Sequence, residues 1–185
     1  VTDQSDSTTV LVVEDERHLA DLYSEYLSDS YDVRTAYGGE EAIEVLGPAI
    51  DIVLLDRRMP VVSGNEVLAT IEERGLDLEV AMVTAVDPDF EIIDLGVDDY
   101  VVKPVSKDTL VDVVERLETI STYNEQRRRL TSKKLKRNVL EVEKPRPEIE
   151  ASDRFARLEA EIEQLETEVE QLAADLERSE IERQE

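Results

Sequence analysis

Five polar side chains, Glu14, Asp15, Asp56, Thr84 and Lys103, stand at the ends of short apolar runs in this 185-residue chain. The runs are "TVLVV" at 9–13, "DIVLL" at 51–55, "EVAMVT" at 79–84 and "DYVV" at 99–102. A carboxylate at the mouth of a buried strand is costly unless a partner, a metal or a reaction holds it. Gathered at one rim, three carboxylates, one hydroxyl and one ammonium define a narrow chemistry. None is a soft ligand, and hard oxygen donors suit Mg²⁺, which is usually held by a few carboxylates, a carbonyl and waters. A carboxylate is also a nucleophile toward phosphorus and can form an aspartyl phosphate. In such a reaction the metal would join the entering and leaving charges. Lys103 would neutralise a further phosphoryl oxygen, and Thr84 could donate a hydrogen bond.

The elements needed to position these groups follow from periodicity. Strand 9–13 precedes a helix at 17–27 with Leu19, Leu22, Tyr23, Tyr26 and Leu27 at helical spacing. The pattern repeats as strand 31–35 and helix 38–46, strand 51–55 and helix 64–73, strand 79–84 and a short helix 88–94, and strand 99–102 and helix 106–121. The continuously apolar 51–55 reads as a central strand covered on both faces. Five βα units require a mostly parallel sheet with helices on both sides, a doubly wound α/β domain. Ligands in such sheets bind beyond the carboxyl ends of the strands, where the five polar residues fall. Gly38, Gly39 and Gly64 read as isolated turn glycines rather than a nucleotide-binding loop. Glu16 reads as the start of its helix and His18 as a surface or boundary residue.

Charge narrows the function further. The chain has 46 acidic and 21 basic residues, a net charge of −25. Such a surface repels nucleic acid and anionic membranes in ordinary salt and is better suited to concentrated salt, where self-repulsion is screened. A halophilic cytoplasm is the expectation, with another acidic cytoplasmic protein as the alternative. The lack of cysteine excludes disulfides and thiolate metal sites, and a single histidine excludes a histidine-rich zinc site. No stretch resembles a signal peptide or membrane span, so the protein is expected to be soluble and cytoplasmic. Charge also partitions the chain, at −21 for residues 1–123, +6 for 124–147 and −10 for 148–185. The expected organisation is a globular domain, a basic helical connector and an acidic helix.

"LVVEDE", "LLDRRMP", "VTA" and "GVDDYVVKP" resemble, in order and at suitable intervals, the signature segments of receiver domains of two-component response regulators. The resemblance spans residues 8–122 and implies a flavodoxin-like five-stranded parallel sheet of order 2-1-3-4-5. It implies that Asp56 accepts a phosphoryl group from a phosphohistidine on a sensor histidine kinase. Mg²⁺ would be held by Asp15 directly, by Glu14 through water, by Asp56 and by the backbone carbonyl of Arg58. Lys103 would pair with the phosphoryl group, aimed by Pro104 after a cis bond, while Thr84 and Tyr100 match the switch pair. Glu14 stands where many relatives have aspartate, and Arg58 carries a long cation two residues beyond the phosphoacceptor. The family implies a phosphoacceptor switch with self-catalysed phosphorylation and dephosphorylation, not an enzyme with metabolite turnover.

The remainder of the chain is helical in pattern. "RRRLTSKKLKR" at 127–137 has seven basic residues in eleven. It could contact nucleic-acid phosphate, or match an acidic helix of the same chain, and no helix-turn-helix pattern accompanies it. Pro145 and Pro147 must interrupt a continuous helix. Beyond them Phe155, Leu158, Ile162, Leu165, Val169, Leu172 and Leu176 repeat three and four apart, as the a and d seam of a coiled coil. The seam favours a parallel homodimer, although mostly acidic e and g flanks oppose it and folding back on the basic helix would relieve them. The basic-then-acidic layout after the receiver resembles the HalX module. A switch whose helical segment acts on an unidentified output partner is the leading reading. The rivals are a DNA-binding transcription regulator using 127–137 and a non-catalytic dimerising adaptor.

Overall fold

A computed structural model describes residues 7–182, which fall into two compact units, one up to Glu118 and one from Thr119. In the first unit β1 (Thr9–Val13), β2 (Asp32–Ala36), β3 (Ile52–Leu55), β4 (Glu79–Thr84) and β5 (Asp99–Val102) form one sheet of order β2-β1-β3-β4-β5. Every neighbouring pair is parallel, the doubly wound arrangement expected from the alternating pattern. All residues of β1, β3 and β4 are buried, as their apolar runs require, whereas β2 alternates and occupies an edge. The strands are linked by α1 (Arg17–Leu27), α2 (Gly39–Val45) and α3 (Gly64–Glu73). On one side of the sheet Leu11, Val13, Val53, Leu55 and Met82 pack with Ala42 of α2 and Val67, Leu68 and Ile71 of α3.

Between β4 and β5 the expected helix at 88–94 is a 3-10 turn, Phe90–Asp94, with no buried residue. "DPDFEIIDL" supplies a proline and too few inward-facing apolar positions to dock a full helix. Phe90 and Ile93 consequently stay 84% and 76% exposed. The helix after β5, expected to end at 121, continues as α4 from Lys107 to Glu143. No glycine or proline occurs between 106 and 143, and Pro145 is the first residue able to stop it. Leu110, Val113, Val114 and Leu117 of α4 are buried in the first unit.

The second unit contains α4 from Thr119, a short α5 (Arg146–Glu150) with Pro147 in its first turn, and α6 (Asp153–Glu182). α6 runs back along α4: the neighbourhoods of Phe155, Leu158 and Leu165 contain Leu140, Val139 and Arg129 respectively. Phe155, Ile162 and Leu165 are buried, and Leu158, Val169, Leu172 and Leu176 are half-buried. The helix that lies along the seam in this structure is α4 of the same chain. Charge explains the choice, because Lys133 pairs with Glu161 and Lys134 with Glu166 at 2.5 Å. Hydrogen bonds from these lysines hold both glutamates below the usual carboxylate range. No helix among the described residues is long and apolar enough to cross a membrane.

Candidate functional site

The carboxyl ends of β1, β3, β4 and β5 bring the five polar residues to one rim. Glu14 follows β1 and is 2% exposed, and Asp56 follows β3 and is 7% exposed. Glu14, Asp15 and Asp56 can place one oxygen each within 4.8 Å of the others. Lys103, one residue past β5, donates from Nζ to Glu14 Oε2 at 2.5 Å and to Asp56 Oδ2 at 3.2 Å. The Glu14 side chain also accepts from the Glu16 N–H, and Asp56 Oδ1 from the Arg58 N–H at 3.4 Å. Three carboxylates against one ammonium leave two negative charges on a rim made of oxygen donors. That residual charge and donor set fit a hard divalent cation such as Mg²⁺.

Burial sets the electrostatics. It pushes the Glu14 carboxyl above its ordinary value, opposed by hydrogen bonds from Lys103 and the Glu16 amide. Burial alone would lower Lys103, but the Glu14 hydrogen bond and the charges of Asp56 and Glu14 prevail, and its pKa lies above the ordinary lysine value. Lys103 is therefore an ammonium across the physiological range. The Lys103–Pro104 peptide is cis, and the Lys103 amide donates to Thr84 O.

Thr84 is fully buried at the end of β4, and Tyr100 is half-buried on β5. Both engage Val86: its N–H donates to Thr84 Oγ1 at 3.4 Å, and its carbonyl accepts from the Tyr100 hydroxyl at 2.8 Å. The backbone of one residue thus joins the two side chains. The Asp56 loop is shaped by α3, whose capping box is formed by Ser63 and Glu66. A Cβ on Gly64 would lie 2.2 Å from the Asp56 carbonyl oxygen, and one on Gly39 2.4 Å from the Val62 carbonyl oxygen.

The family model described as "Response regulator receiver domain" matches residues 10–115, more than half of the chain, and the HalX domain model matches residues 119–184. The chain belongs to the response regulator receiver family. A HalX domain follows the receiver. Over 109 residues the chain is 52% identical to a candidate transcriptional regulator of Haloferax volcanii, a match covering 58% of this chain and 19% of that protein. It is 36% identical over 116 residues to the response regulator SaeR of Staphylococcus aureus USA300, covering 60% of this chain and 51% of SaeR. The chain thus spans about half or less of these curated relatives. Among solved structures, TrrA of Thermotoga maritima in complex with Mg²⁺-BeF is 33% identical with a TM-score of 0.52, covering 60% of this chain and 98% of that one. The non-phosphorylated HemR receiver of Leptospira biflexa is 30% identical with a TM-score of 0.56, covering 60% and 93%.

Receiver domains are phosphorylated on aspartate with Mg²⁺ and act as self-catalysing switches rather than turnover enzymes. In this receiver, further residues reach the site region without announcing themselves in the sequence. Arg57, next to Asp56, donates to Glu91 of the 3-10 turn at 2.7 Å, and its guanidinium is raised by bonds to Glu91 and then Tyr100. Arg57 therefore links the Asp56 loop to the segment that carries Tyr100. In sequence the Arg57 and Arg58 pair could contact phosphate or simply offset local acid, with nothing to mark Arg57 as a bridge to Glu91. Their separation depends on the loop, which leaves Arg57 half-buried and Arg58 exposed.

Proposed function

We propose that this receiver takes a phosphoryl group onto Asp56 from the phosphohistidine of a sensor histidine kinase and passes the change to its helical C-terminal segment. The observation that carries this reading is the convergence of Asp56 with Glu14 and Asp15 within 4.8 Å, with Lys103 Nζ 3.2 Å from Asp56. An Asp56 oxygen attacks phosphorus, the P–N bond breaks, and its electron pair leaves on the imidazole nitrogen. Mg²⁺, held by Asp15, Glu14, Asp56 and the Arg58 carbonyl, supplies charge neutralisation when bound. Lys103 is aimed by the Lys103–Pro104 turn and meets a phosphoryl oxygen. Thr84 is the hydroxyl that follows the new charge. Its shift breaks the Val86 N–H contact and loosens the Tyr100 hydroxyl from the Val86 carbonyl, which couples phosphate to the Tyr100 ring.

We assign three jobs along the chain: phosphate reception to residues 1–123, a basic helix to 124–147, and the acidic helix it holds to 148–185. DNA binding through 127–137 is less well supported, because Lys133 and Lys134 of that segment are engaged by Glu161 and Glu166. The net charge of −25 and the Haloferax relative support a high-salt setting. The test is intact-mass measurement after incubation with acetyl phosphate and Mg²⁺. The wild-type chain should gain one hydroxylamine-labile phosphate and Asp56→Asn none, and an equal, stable gain in Asp56→Asn would reject the assignment.

A further inference from the structure

α6 covers one side of the basic half of α4 and leaves another bare. On the bare side Leu135, Val139 and Val142 follow one another at four- and three-residue spacing, 61%, 60% and 83% exposed. Beside them runs a shallow groove lined by Leu135, Lys136, Val139, Leu140 and Leu158. An apolar stripe of this kind on an otherwise highly charged chain marks an interaction surface.

Charge identifies the occupant. The stripe lies in "KKLKRNVLEVE", where Lys136 precedes its centre and Glu143 follows it, whereas Lys133 and Lys134 are already paired with Glu161 and Glu166 of α6. A copy of the same helix laid antiparallel, with a two-fold axis at Val139, sets 135 opposite 143 and 136 opposite 142. Lys136 of each copy then comes within one residue of level with the other's Glu143, and Leu135 within one residue of its Val142, while Val139 meets Val139 on the axis. A parallel copy would stack like charge on like charge. An all-acidic or all-basic partner would satisfy only one end. We propose that this stripe is a self-complementary docking surface for a second copy of the chain, joining two helical hairpins antiparallel through Val139. The surface borders the α6 seam, whose Leu158 lines the same groove, and it does not depend on the phosphoacceptor reading.

The test uses the full-length, unphosphorylated chain. Sedimentation equilibrium should show a monomer–dimer equilibrium, with Val139→Glu raising the dissociation constant by about tenfold or more. Lys136→Glu and Glu143→Lys should each weaken the dimer, and the double variant should recover it, since the exchange restores opposite charges across the axis. The chain has no cysteine, so Val139→Cys adds a lone thiol on the axis and should form a disulfide-linked dimer under mild oxidation. Glu163→Cys on the exposed side of α6 should not. A chain that stays monomeric across the concentration series overturns the proposal. So does a dimer undiminished by Val139→Glu, or cross-linking by Glu163→Cys as fast as by Val139→Cys. The substituted positions are exposed, so the hairpin's folding is not at stake.

Discussion

At the scale of single residues, strand-end carboxylates are legible in sequence because a charge closing an apolar run is anomalous on its own. Glu14, Asp15 and Asp56 announce themselves in that way, and Lys103 does so by following the apolar β5. Gly64 gives no comparable signal. Its importance comes from a close approach of α3 to the Asp56 backbone that only the folded loop creates. A methyl group there would sit 2.2 Å from the Asp56 carbonyl oxygen, against backbone that cannot rotate away. Gly64→Ala should therefore cost about 1–3 kcal/mol of stability and displace the Asp56 loop, weakening Mg²⁺ binding. Urea unfolding and an Mg²⁺ titration would check both, and an unchanged midpoint would show that the loop yields freely. Arg57 was hidden for the same reason, since its partner Glu91 is 34 residues away along the chain.

Elements were legible where one period dominated. The strands and α1 to α3 follow directly from runs of apolar residues and their spacing. The end of α4 was not, because the charge change near residue 123 resembles a boundary, yet helix formation is indifferent to the sign of a side chain and stops only at Pro145. The seam of α6 specified that a partner helix exists without naming it. Its acidic flanks pointed to a basic partner, and the helix already tethered to it has the advantage of effective concentration. Because Ile162 is 2% exposed against α4, Ile162→Ala should remove about 2–5 kcal/mol from the hairpin. Proteolysis of α6 should accelerate while acetyl phosphate still labels Asp56 normally. If cleavage of α6 were unchanged, the seam would not be the contact holding it.

For the whole molecule, 46 acidic residues against 21 basic ones make self-repulsion the largest long-range term. Raising KCl from about 0.1 M to about 1 M shortens the screening length from about 10 Å to about 3 Å. The melting temperature should rise along that series, even though exposed pairs such as Lys134 with Glu166 weaken in the same salt. A melting temperature that falls instead would mean that ion pairs outweigh repulsion. Composition alone disclosed this property, whereas the surface on α4 that we assign to a second copy required knowing which side α6 covers. The Lys103 contacts carry one more implication. A cation fixed to the chain already stands among the carboxylates, so a dissolved Na⁺ or K⁺ ion must compete with a rival that never diffuses away. A divalent ion brings twice the charge to the same oxygens. The resident ammonium therefore biases the rim against monovalent cations and towards a divalent one.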